Sequence, residues 1–406
     1  MHYASLIETT EHNHQWDNRP QWDDRPIRIL HVLGQMQRGG VETWLTQVLR
    51  HINRDRFRMD FLVHITKPGA YDEEIRALGS LIIPCPLSRS RPWIYAANFK
   101  QILQDYGPYD IIHSHVHHFS GYVLRLAKQA GVPFCIAHSH NDTSFEAQAG
   151  LYRRLYRTLT EWWVSRHATA GLGCSRKAAA DLFGSQWNRN PHCWVLYYGI
   201  DLTPFQNRVD RAAVRREFGI PADAFVMGHV GRFDAQKNHE FLIEIAAEVA
   251  QREPKMRLLL VGEGALQPDI ARRVWQMGLS DRVIFAGSRP DIGRLMLGAM
   301  DAFVFPSLHE GLGIVLLEAQ AAGLPCLFSD VIPEEVDVVK PLVRRLSLSQ
   351  QASEWAEVLL TYRDTTGAIA QSDALAWMAT SPFNIKTSVK QLERIYQAQL
   401  TGEVVV

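Results

Sequence analysis

The sequence has no excess of charge of either sign, since 43 lysines and arginines balance 43 aspartates and glutamates over 406 residues. A protein that binds nucleic acid through its phosphates needs a basic surplus or a basic stripe, so this balance argues against that class. No apolar run approaches the roughly 18 residues of a membrane span. Residues 1–26 are polar and contain no apolar segment of the kind found in signal peptides. We expect them to be a disordered tail and the protein to be cytoplasmic.

Residue patterns typical of metal sites are also missing. The five cysteines are odd in number, and no two of them have a Cys-x-x-Cys spacing. Such cysteines are typical of small buried residues in a reducing compartment. The chain contains no Asp-x-Asp, the usual carboxylate pair for a divalent ion on a diphosphate. The sequence therefore predicts no metal and no other cofactor.

The chain is too long and too apolar for a single ordinary core, because such cores stop growing at roughly 250–300 residues. Short apolar runs alternate with helical patterns, which indicates parallel sheets covered on both faces. The strand candidates of the first half are 27–33, 61–64, 111–113, 134–137, 169–174 and 194–197. Those of the second half are 225–230, 258–261, 283–285, 302–305 and 326–329. The predicted fold class is α/β, with two Rossmann-like, doubly wound domains.

The domain boundaries follow from where this alternation lapses. We predict an N-terminal Rossmann-like domain over 27–203, a linker over 204–224 and a second domain over 225–381. A final helix and tail over 382–406 should pack back on the first domain. Two such domains in one chain place a ligand cleft between the carboxyl ends of their sheets.

Two glycines, Gly39 and Gly40, stand between the first predicted strand and a periodic segment over 41–52. Glycine lets the backbone approach a ligand because it has no Cβ, and a helix N-terminus favours an anion. The pair could therefore hold a pyrophosphate. The alternative is a tight strand-to-helix turn, and these two residues alone favour the turn.

Two cations, Arg232 and Lys237, follow the first strand of the second domain and precede a helix that we expect Asn238 to cap. Cations beside a helix N-terminus suit a diphosphate whose charge grows as it leaves. The alternative is a solvated Lys237 and an ion pair between Arg232 and Asp234. The spacing alone favours neither interpretation.

The segment 306–318 reads Pro-Ser-Leu-His-Glu-Gly-Leu-Gly-Ile-Val-Leu-Leu-Glu and joins a strand to a helix. The backbone N–H groups around Gly311, Leu312 and Gly313 would point at an anion or a hydroxyl group. Glu318 lies among leucines and alanines, where a carboxylate needs a partner such as the two hydroxyls of a ribose. The alternative partner is a basic residue across an interface.

Histidines alternate at the ends of two strands of the first domain, His113 and His115 on one and His138 and His140 on the next. The cleft must lie at that edge. Two such clusters could suggest a metal site, but alternate residues with no supporting cysteine or glutamate argue against it. We expect one histidine to face a ligand and the others to be structural.

Taken together, these residues resemble the family 4 retaining glycosyltransferases of GT-B fold over about residues 27–400. The resemblance rests on the order and spacing of the Gly39-Gly40 loop, the Arg232-x4-Lys237 pair and the Glu310-x7-Glu318 element. The segment 137–141, Ala-His-Ser-His-Asn, more narrowly resembles capsular and exopolysaccharide transferases.

The resemblance implies a role for each matching residue. Arg232 and Lys237 would hold the diphosphate of a nucleotide-sugar, and Glu318 would bind its ribose hydroxyls. Glu310 and His138 would contact the sugar. The remaining donor-binding positions would be Gly39, Gly40, Gly311, Leu312 and Gly313. Tyr198 departs from the family, which usually has asparagine before Gly199, and this puts in doubt a turn between the domains.

The implied reaction is transfer of a hexosyl or N-acetylhexosaminyl group from a nucleotide-sugar, chiefly a UDP-sugar, with retention of configuration and without a metal. The acceptor would be a glycan or a lipid-linked glycan in capsule or exopolysaccharide synthesis. Two alternatives stay open: a non-hydrolysing nucleotide-sugar epimerase of the same fold, and a catalytically silent subunit that binds nucleotide-sugars.

A helix predicted over 151–167 carries Tyr152, Leu155, Tyr156, Leu159 and Trp163 on one stripe. Three arginines flank this stripe: Arg153, Arg154 and Arg157. Such a helix could dock on an anionic bilayer as a peripheral contact. An ordinary core helix with a solvated basic flank explains the same pattern and is slightly favoured.

Overall fold

The computed structural model describes residues 25–88, 90–141, 150–364 and 369–401, without the side chains of 151–154 and 364. The predicted tail over 1–26 therefore lies almost wholly outside the described residues. No helix within the described ranges is long and apolar enough to cross a membrane.

The first domain is built on a seven-stranded parallel sheet with the order β3-β2-β1-β4-β5-β6-β7. Its strands are β1 Ile27–Leu33, β2 Phe57–Val63, β3 Ile82–Pro84, β4 Ile111–Ser114, β5 Phe134–Ser139, β6 Ala170–Gly173 and β7 Cys193–Val195. Ile29 and Leu30 on β1 are both fully buried although they point to opposite faces. Helices cover the two faces of such a sheet, which explains the continuous apolar runs in the sequence.

The helices of the first domain and of the passage out of it alternate with these strands. They are α1 Gly40–His51, α2 Asp72–Ala77, α3 Pro92–Tyr106, α4 Ser120–Gln129, α5 Leu151–His167, α6 Arg176–Phe183, α7 Thr203–Gln206 and α8 Arg211–Glu217. The segment predicted as a linker contains α8, whose Arg215 pairs with Asp301 of the second domain, with Nη2 2.7 Å from Oδ2. The predicted boundaries themselves stay a prediction.

The second domain has a six-stranded parallel sheet with the order β10-β9-β8-β11-β12-β13. Its strands are β8 Val226–Val230, β9 Arg257–Val261, β10 Val283–Phe285, β11 Ala302–Phe305, β12 Cys326–Ser329 and β13 Val343–Leu346. The remaining helices are α9 His239–Arg252, α10 Gln267–Gln276, α11 Ile292–Gly298, α12 Ile314–Ala321, α13 Ala352–Asp364, α14 Gln371–Thr380 and α15 Ile385–Thr401. The predicted α/β class with two Rossmann-like domains is confirmed.

The last helix, α15, returns to the first domain. Ile200 and Asn384 form an isolated parallel bridge just before this helix. The indole Nε1 of Trp44 on α1 donates to Oγ of Ser388 on α15 at 3.1 Å. The chain thus crosses between the domains twice, and their strands present their carboxyl ends to a shared cleft.

Candidate functional site

The N-termini of two helices face each other across the cleft. α1 begins at Gly40, and a Cβ placed on Gly40 would lie 3.8 Å from Cγ2 of Ile314, the first residue of α12. Neither helix has a side chain that caps its first turn. Both therefore turn first-turn backbone N–H groups, with no side-chain cap among the described residues, toward the space between the domains, an arrangement that favours an anion.

The two cations predicted from the sequence border this space, and they differ in exposure and in ion-pair partner. Arg232 has a side chain that is 65% exposed and lies 3.3 Å from the carboxylate of Asp234. Lys237 is largely buried, with Nζ 2.5 Å from Oε1 of Glu310 and 4.7 Å from the ring centre of Phe305. Arg232 thus forms the predicted alternative ion pair and still has an accessible guanidinium, while Lys237 is held by the motif glutamate.

Asn238 occupies the N-cap position of α9, but it does not act as the predicted cap. Its backbone is left-handed, with φ 53°, and its side chain makes no capping hydrogen bond. The side chain of Asp234 instead accepts a hydrogen bond from the backbone N–H of Lys237 at 3.3 Å. This bond fixes the turn that carries the lysine toward Glu310.

The loop around Gly311 forms the seam between the domains. A Cβ on Gly311 would lie 1.8 Å from the carbonyl oxygen of His140 in the first domain, so only glycine fits there. Oγ of Ser175 donates to the carbonyl of Gly311 at 2.5 Å. Gly313 has φ +89°, a left-handed conformation that suits glycine and starts α12, and Leu312 between them is buried.

Glu318 lies on α12 with no hydrogen bond or ion pair to its carboxylate among the residues that the structure describes. The predicted alternative, a salt bridge across the interface, is thus not seen for that carboxylate in those residues. Burial raises the pKa of Glu318 to about 7. Burial raises the pKa of Tyr71 in the first domain, and the nearby charge of Glu318 raises it further. The Tyr71 hydroxyl lies 2.8 Å from that of Thr43.

A second carboxylate in the cleft, Glu42, was missed by sequence reasoning. It lies in the first turn of α1, and its Oε2 would lie only 2.5 Å from a Cβ placed on Gly39. Burial raises the pKa of Glu42 to about 7, while its own backbone N–H and the charge of Arg232 oppose this rise. The sequence signal was a glutamate two residues after the glycine pair, which resembles any acidic residue in a first helical turn.

The predicted histidines meet in one cluster together with His31 of β1. His113, His138 and His31 are fully buried, His115 nearly so, and His140 is partly exposed. Burial lowers the pKa of His31 and of His140 to about 3. Burial first, and the neighbouring imidazoles second, lower the pKa of the other three well below the ordinary value. All five are therefore neutral at pH 7.

His138, the predicted sugar contact, has no exposed surface, whereas His140 adjoins Gly311 through its carbonyl. The described residues thus place His140, rather than His138, at the seam. His138 reaches this region only through the cluster, and its role at the sugar stays a prediction.

Three groups of side chains bring metal-ligand atoms within 4.8 Å of one another among the described residues: His31 with His113 and His115, His115 with His138 and His140, and His117 with His118 and Asp181. Close nitrogen contacts within the first two groups are hydrogen bonds between rings. Neither of these groups contains a carboxylate to balance a dication, which is costly to bury. We assign no metal to them, and activity without a metal stays a prediction.

Both domains resemble known glycosyl transferases. Residues 39–199 match the model of the glycosyl transferase 4-like domain, and residues 210–362 match that of glycosyl transferases group 1. EpsF of Bacillus subtilis (strain 168), which is named provisionally as a glycosyltransferase, is 38% identical over 336 residues, covering 82% of this chain and 86% of that protein. The UDP-Gal:alpha-D-GlcNAc-diphosphoundecaprenol alpha-1,3-galactosyltransferase of Escherichia coli is 30% identical over 315 residues, covering 75% and 80%.

The solved structures that resemble this chain support the fold. HepE of Anabaena in complex with UDP-glucose superposes with a TM-score of 0.77 at 21% identity, covering 92% of this chain and all of that one. A sucrose-phosphate synthase from Thermosynechococcus elongatus gives a TM-score of 0.72 at 19% identity, with 93% and 100% covered.

Proposed function

We propose a reaction for this chain, which belongs to the group 1 glycosyl transferases. It transfers a hexosyl or N-acetylhexosaminyl group from a UDP-sugar to a glycan or lipid-linked glycan, with retention of configuration. The observation that carries this proposal is the pair of facing helix N-termini at Gly40 and Ile314. A diphosphate between them would meet backbone N–H groups from both domains.

The cations complete this site for a leaving diphosphate. Arg232 is exposed and can approach a phosphate oxygen, and Lys237 lies beside it on the same loop. Charge on the diphosphate grows as the sugar departs, and fixed cations and helix N-termini stabilise it without reorganisation. The departing phosphate can accept the proton of the acceptor hydroxyl, so we name no general base.

The two glutamates divide the donor between them in this proposal. Glu318 lies on α12, and its carboxylate, which has no partner in the described part of the chain, suits two ribose hydroxyls. Glu310 precedes Gly311 at the seam and would contact the sugar. Gly39, Gly40, Gly311, Leu312 and Gly313 would supply backbone N–H groups, and Arg232, Lys237, Glu310 and His138 would form the catalytic set, with His140 nearest the seam.

The choice of donor and acceptor rests on the relatives. HepE has been solved in complex with UDP-glucose, and the Escherichia coli relative acts on a diphosphoundecaprenol-linked sugar. EpsF, which is named as a glycosyltransferase, supports sugar transfer, and the place in exopolysaccharide synthesis rests on the resemblance of residues 137–141 to such transferases. We propose that no metal is needed, because Arg232, Lys237 and the helix N-termini can neutralise the diphosphate.

A peripheral membrane contact through α5 is part of the proposal. Leu155, Tyr156, Leu159 and Trp162 of this helix are exposed, while Thr160 and Val164 on its other side are buried. Arg157 is engaged by Glu161 at 3.6 Å and by Asp181 at 3.8 Å. The contact would therefore depend on the apolar residues more than on Arg157, and the side chains of Arg153 and Arg154 lie outside the described ones.

A thermal-shift screen of UDP-, GDP- and ADP-sugars followed by product analysis tests the function, because a ligand of the native state raises its stability. We expect a UDP-sugar to give the largest shift and to yield a glycoside with the donor's anomeric configuration. An inverted product, or conversion of the donor without any acceptor, would contradict the proposal.

A further inference from the structure

Two chains of hydrogen bonds run through the histidine cluster, and each begins at a tyrosine. In the first, the Tyr396 hydroxyl lies 2.8 Å from Nδ1 of His113, and Nε2 of His113 lies 3.1 Å from Nδ1 of His138. In the second, the Tyr198 hydroxyl bonds Nδ1 of His140.

The second chain continues inward from His140 across neighbouring strands. Nε2 of His140 lies 2.7 Å from Nδ1 of His115, and Nε2 of His115 lies 2.9 Å from Nδ1 of His31. Every link between two imidazoles therefore joins an Nε2 atom to an Nδ1 atom, and each tyrosine hydroxyl meets an Nδ1 atom. The two Nε2 atoms left at the ends, on His138 and His31, are buried and have no partner among the described residues.

This regular order fixes where the protons lie. A neutral imidazole has one N–H donor and one acceptor nitrogen, so all links of a chain must point the same way. The Tyr396 hydroxyl has His113 as its one hydrogen-bond partner among the described residues. It donates to Nδ1, because that direction leaves one buried group without a partner, the Nε2–H of His138, whereas the opposite direction leaves two, the O–H of Tyr396 and the acceptor Nε2 of His138.

The same direction holds for the second chain. The Cys174 thiol also lies close to the Tyr198 hydroxyl. An imidazole nitrogen is a far better acceptor than sulfur, so Tyr198 donates to His140 and the thiol can donate to Tyr198. All five imidazoles then carry their proton on Nε2.

Tyr198 is also braced at the level of its ring. It stacks on Trp44 of α1 with the ring centres 4.9 Å apart, and Trp44 is fully buried. Tyr198 is the residue at which this chain departs from the family's asparagine. The hydroxyl that Tyr198 brings to this position bonds Nδ1 of His140. Since His115 bonds Nε2 of His140, both ring nitrogens of His140 have partners within the protein.

We propose that Tyr198 is a positioning residue for the sugar side of the donor site. Through His140 and the imidazoles behind it, Tyr198 holds the His140 carbonyl against Gly311, beside Glu310. This inference rests on the proposed function, because it takes the Glu310–Gly311 loop as the place where the sugar binds. His140 acts here through its position and not as an acid or a base.

Kinetics on Tyr198→Phe test the positioning role, with Tyr197→Phe as the matched control. Tyr197 is the preceding residue and is partly buried, and its hydroxyl interacts with Arg176 rather than with an imidazole of the cluster among the described residues. Loss of one buried hydrogen bond should lower kcat on a UDP-sugar about tenfold. The Kd for UDP should change less than twofold in Tyr198→Phe, and the control should match the unmodified protein. An unchanged kcat, or an equal loss in UDP binding, would overturn the inference.

NMR of the ring nitrogens in histidine-labelled protein measures which nitrogen of each imidazole carries the proton. A purely structural role of Tyr198 would not change these proton positions. We expect the Nε2–H form at all five positions, and a shifted Nδ1 resonance of His140 in Tyr198→Phe. A proton on Nδ1 of His140 or of His115 would overturn the inference even if Tyr198→Phe failed to fold. If the unmodified protein bound the UDP-sugar but transferred no sugar, the proposed function would fail. The NMR measurement would still support or overturn the proposed chain of hydrogen bonds.

Discussion

Nζ of Lys237 lies 2.5 Å from Oε1 of Glu310, and both side chains are largely buried. The two residues stand 73 positions apart on separate loops of the second domain. The backbone N–H of Leu308 donates to the carbonyl of Gln236 at 2.8 Å, which joins the same two loops. The ion pair therefore holds a proposed phosphate-binding loop against a proposed sugar-binding loop.

Breaking this pair should cost stability as well as activity. Lys237→Met leaves the Glu310 carboxylate buried without its cation, which should lower the free energy of unfolding by on the order of 3 kcal/mol. The double variant Lys237→Met/Glu310→Gln should recover most of that loss in urea denaturation, yet stay inactive. As a control, Lys255→Met removes the exposed pair with Asp223 and should change stability little. A double variant no more stable than Lys237→Met would contradict this account.

Removal of metal should leave turnover intact. The proposed donor site neutralises the diphosphate with Arg232, Lys237 and two helix N-termini. The rate of UDP release during transfer should therefore be the same in excess EDTA as in added magnesium. A rate that collapses in EDTA and returns with magnesium or manganese alone would refute this assignment.

The histidine cluster should make the protein sensitive to acid. Its pKa values are lowered on folding, to about 3 for His31 and His140, so the unfolded chain binds more protons than the folded one below the ordinary value of about 6.5. The stability is fully present above that value and is lost as the pH falls. Each histidine should contribute a slope of up to about 1.4 kcal/mol per pH unit between roughly pH 6 and pH 4.

Urea denaturation at several pH values measures this slope. His31→Gln removes one of the buried imidazoles and should flatten the slope by about one proton. His192→Gln changes an exposed histidine and should leave it unaltered. Equal slopes in the two variants would show that the cluster does not stay neutral in the folded protein.

The exposed face of α5 should bind anionic vesicles. Leu159→Ser and Trp162→Ser replace side chains that are 45% and 56% exposed, so folding should be little affected while co-sedimentation should fall. Trp275→Ser, on the second domain, removes a tryptophan that is 73% exposed and should pellet like the unmodified protein. Negligible pelleting of the unmodified protein with both anionic and neutral vesicles would end the membrane proposal.

Two strands were missed, and both lie at sheet edges, although the edge strand β10 was predicted with its observed bounds. The bounds of β1 and β12 agree with the prediction because burial on two faces makes most of their residues apolar. The prediction missed β3 and β13, which are short edge strands. β13 reads Val-Arg-Arg-Leu, and an edge strand needs no apolar residues on its open side.

The residues of the proposed site stand out in local sequence patterns, but their contacts do not. The spacing of Arg232, Lys237, Glu310 and Glu318 follows local strand–loop–helix patterns, which a sequence displays. Three contacts join segments that are distant in the sequence and could not be predicted. They are the Lys237–Glu310 ion pair, the contact of Gly311 with the His140 carbonyl, and the hydrogen-bond chain from Tyr198 to His31. The rise of the pKa of Glu42 to about 7 follows from burial, which no local pattern reveals.

The division of labour between Glu310 and Glu318 tests the central claim. Glu318→Gln replaces a charged acceptor of two ribose hydroxyls, and charge-assisted hydrogen bonds are worth about 1.5–3 kcal/mol. UDP binding should therefore weaken by roughly one to two orders of magnitude. Because the pKa of Glu318 is about 7, the affinity of the unmodified protein for a UDP-sugar should also rise from pH 6 to pH 8, and Glu318→Gln should abolish that rise.

The most direct measurement is calorimetry of UDP on Glu310→Gln and Glu318→Gln together with their turnover of the full UDP-sugar. The account predicts that Glu318→Gln loses UDP affinity, while Glu310→Gln keeps it and loses turnover, because the Glu310 contact orients the sugar carbon under attack. Equal losses of UDP affinity in the two variants would contradict the account and show that the motif acts as one structural unit.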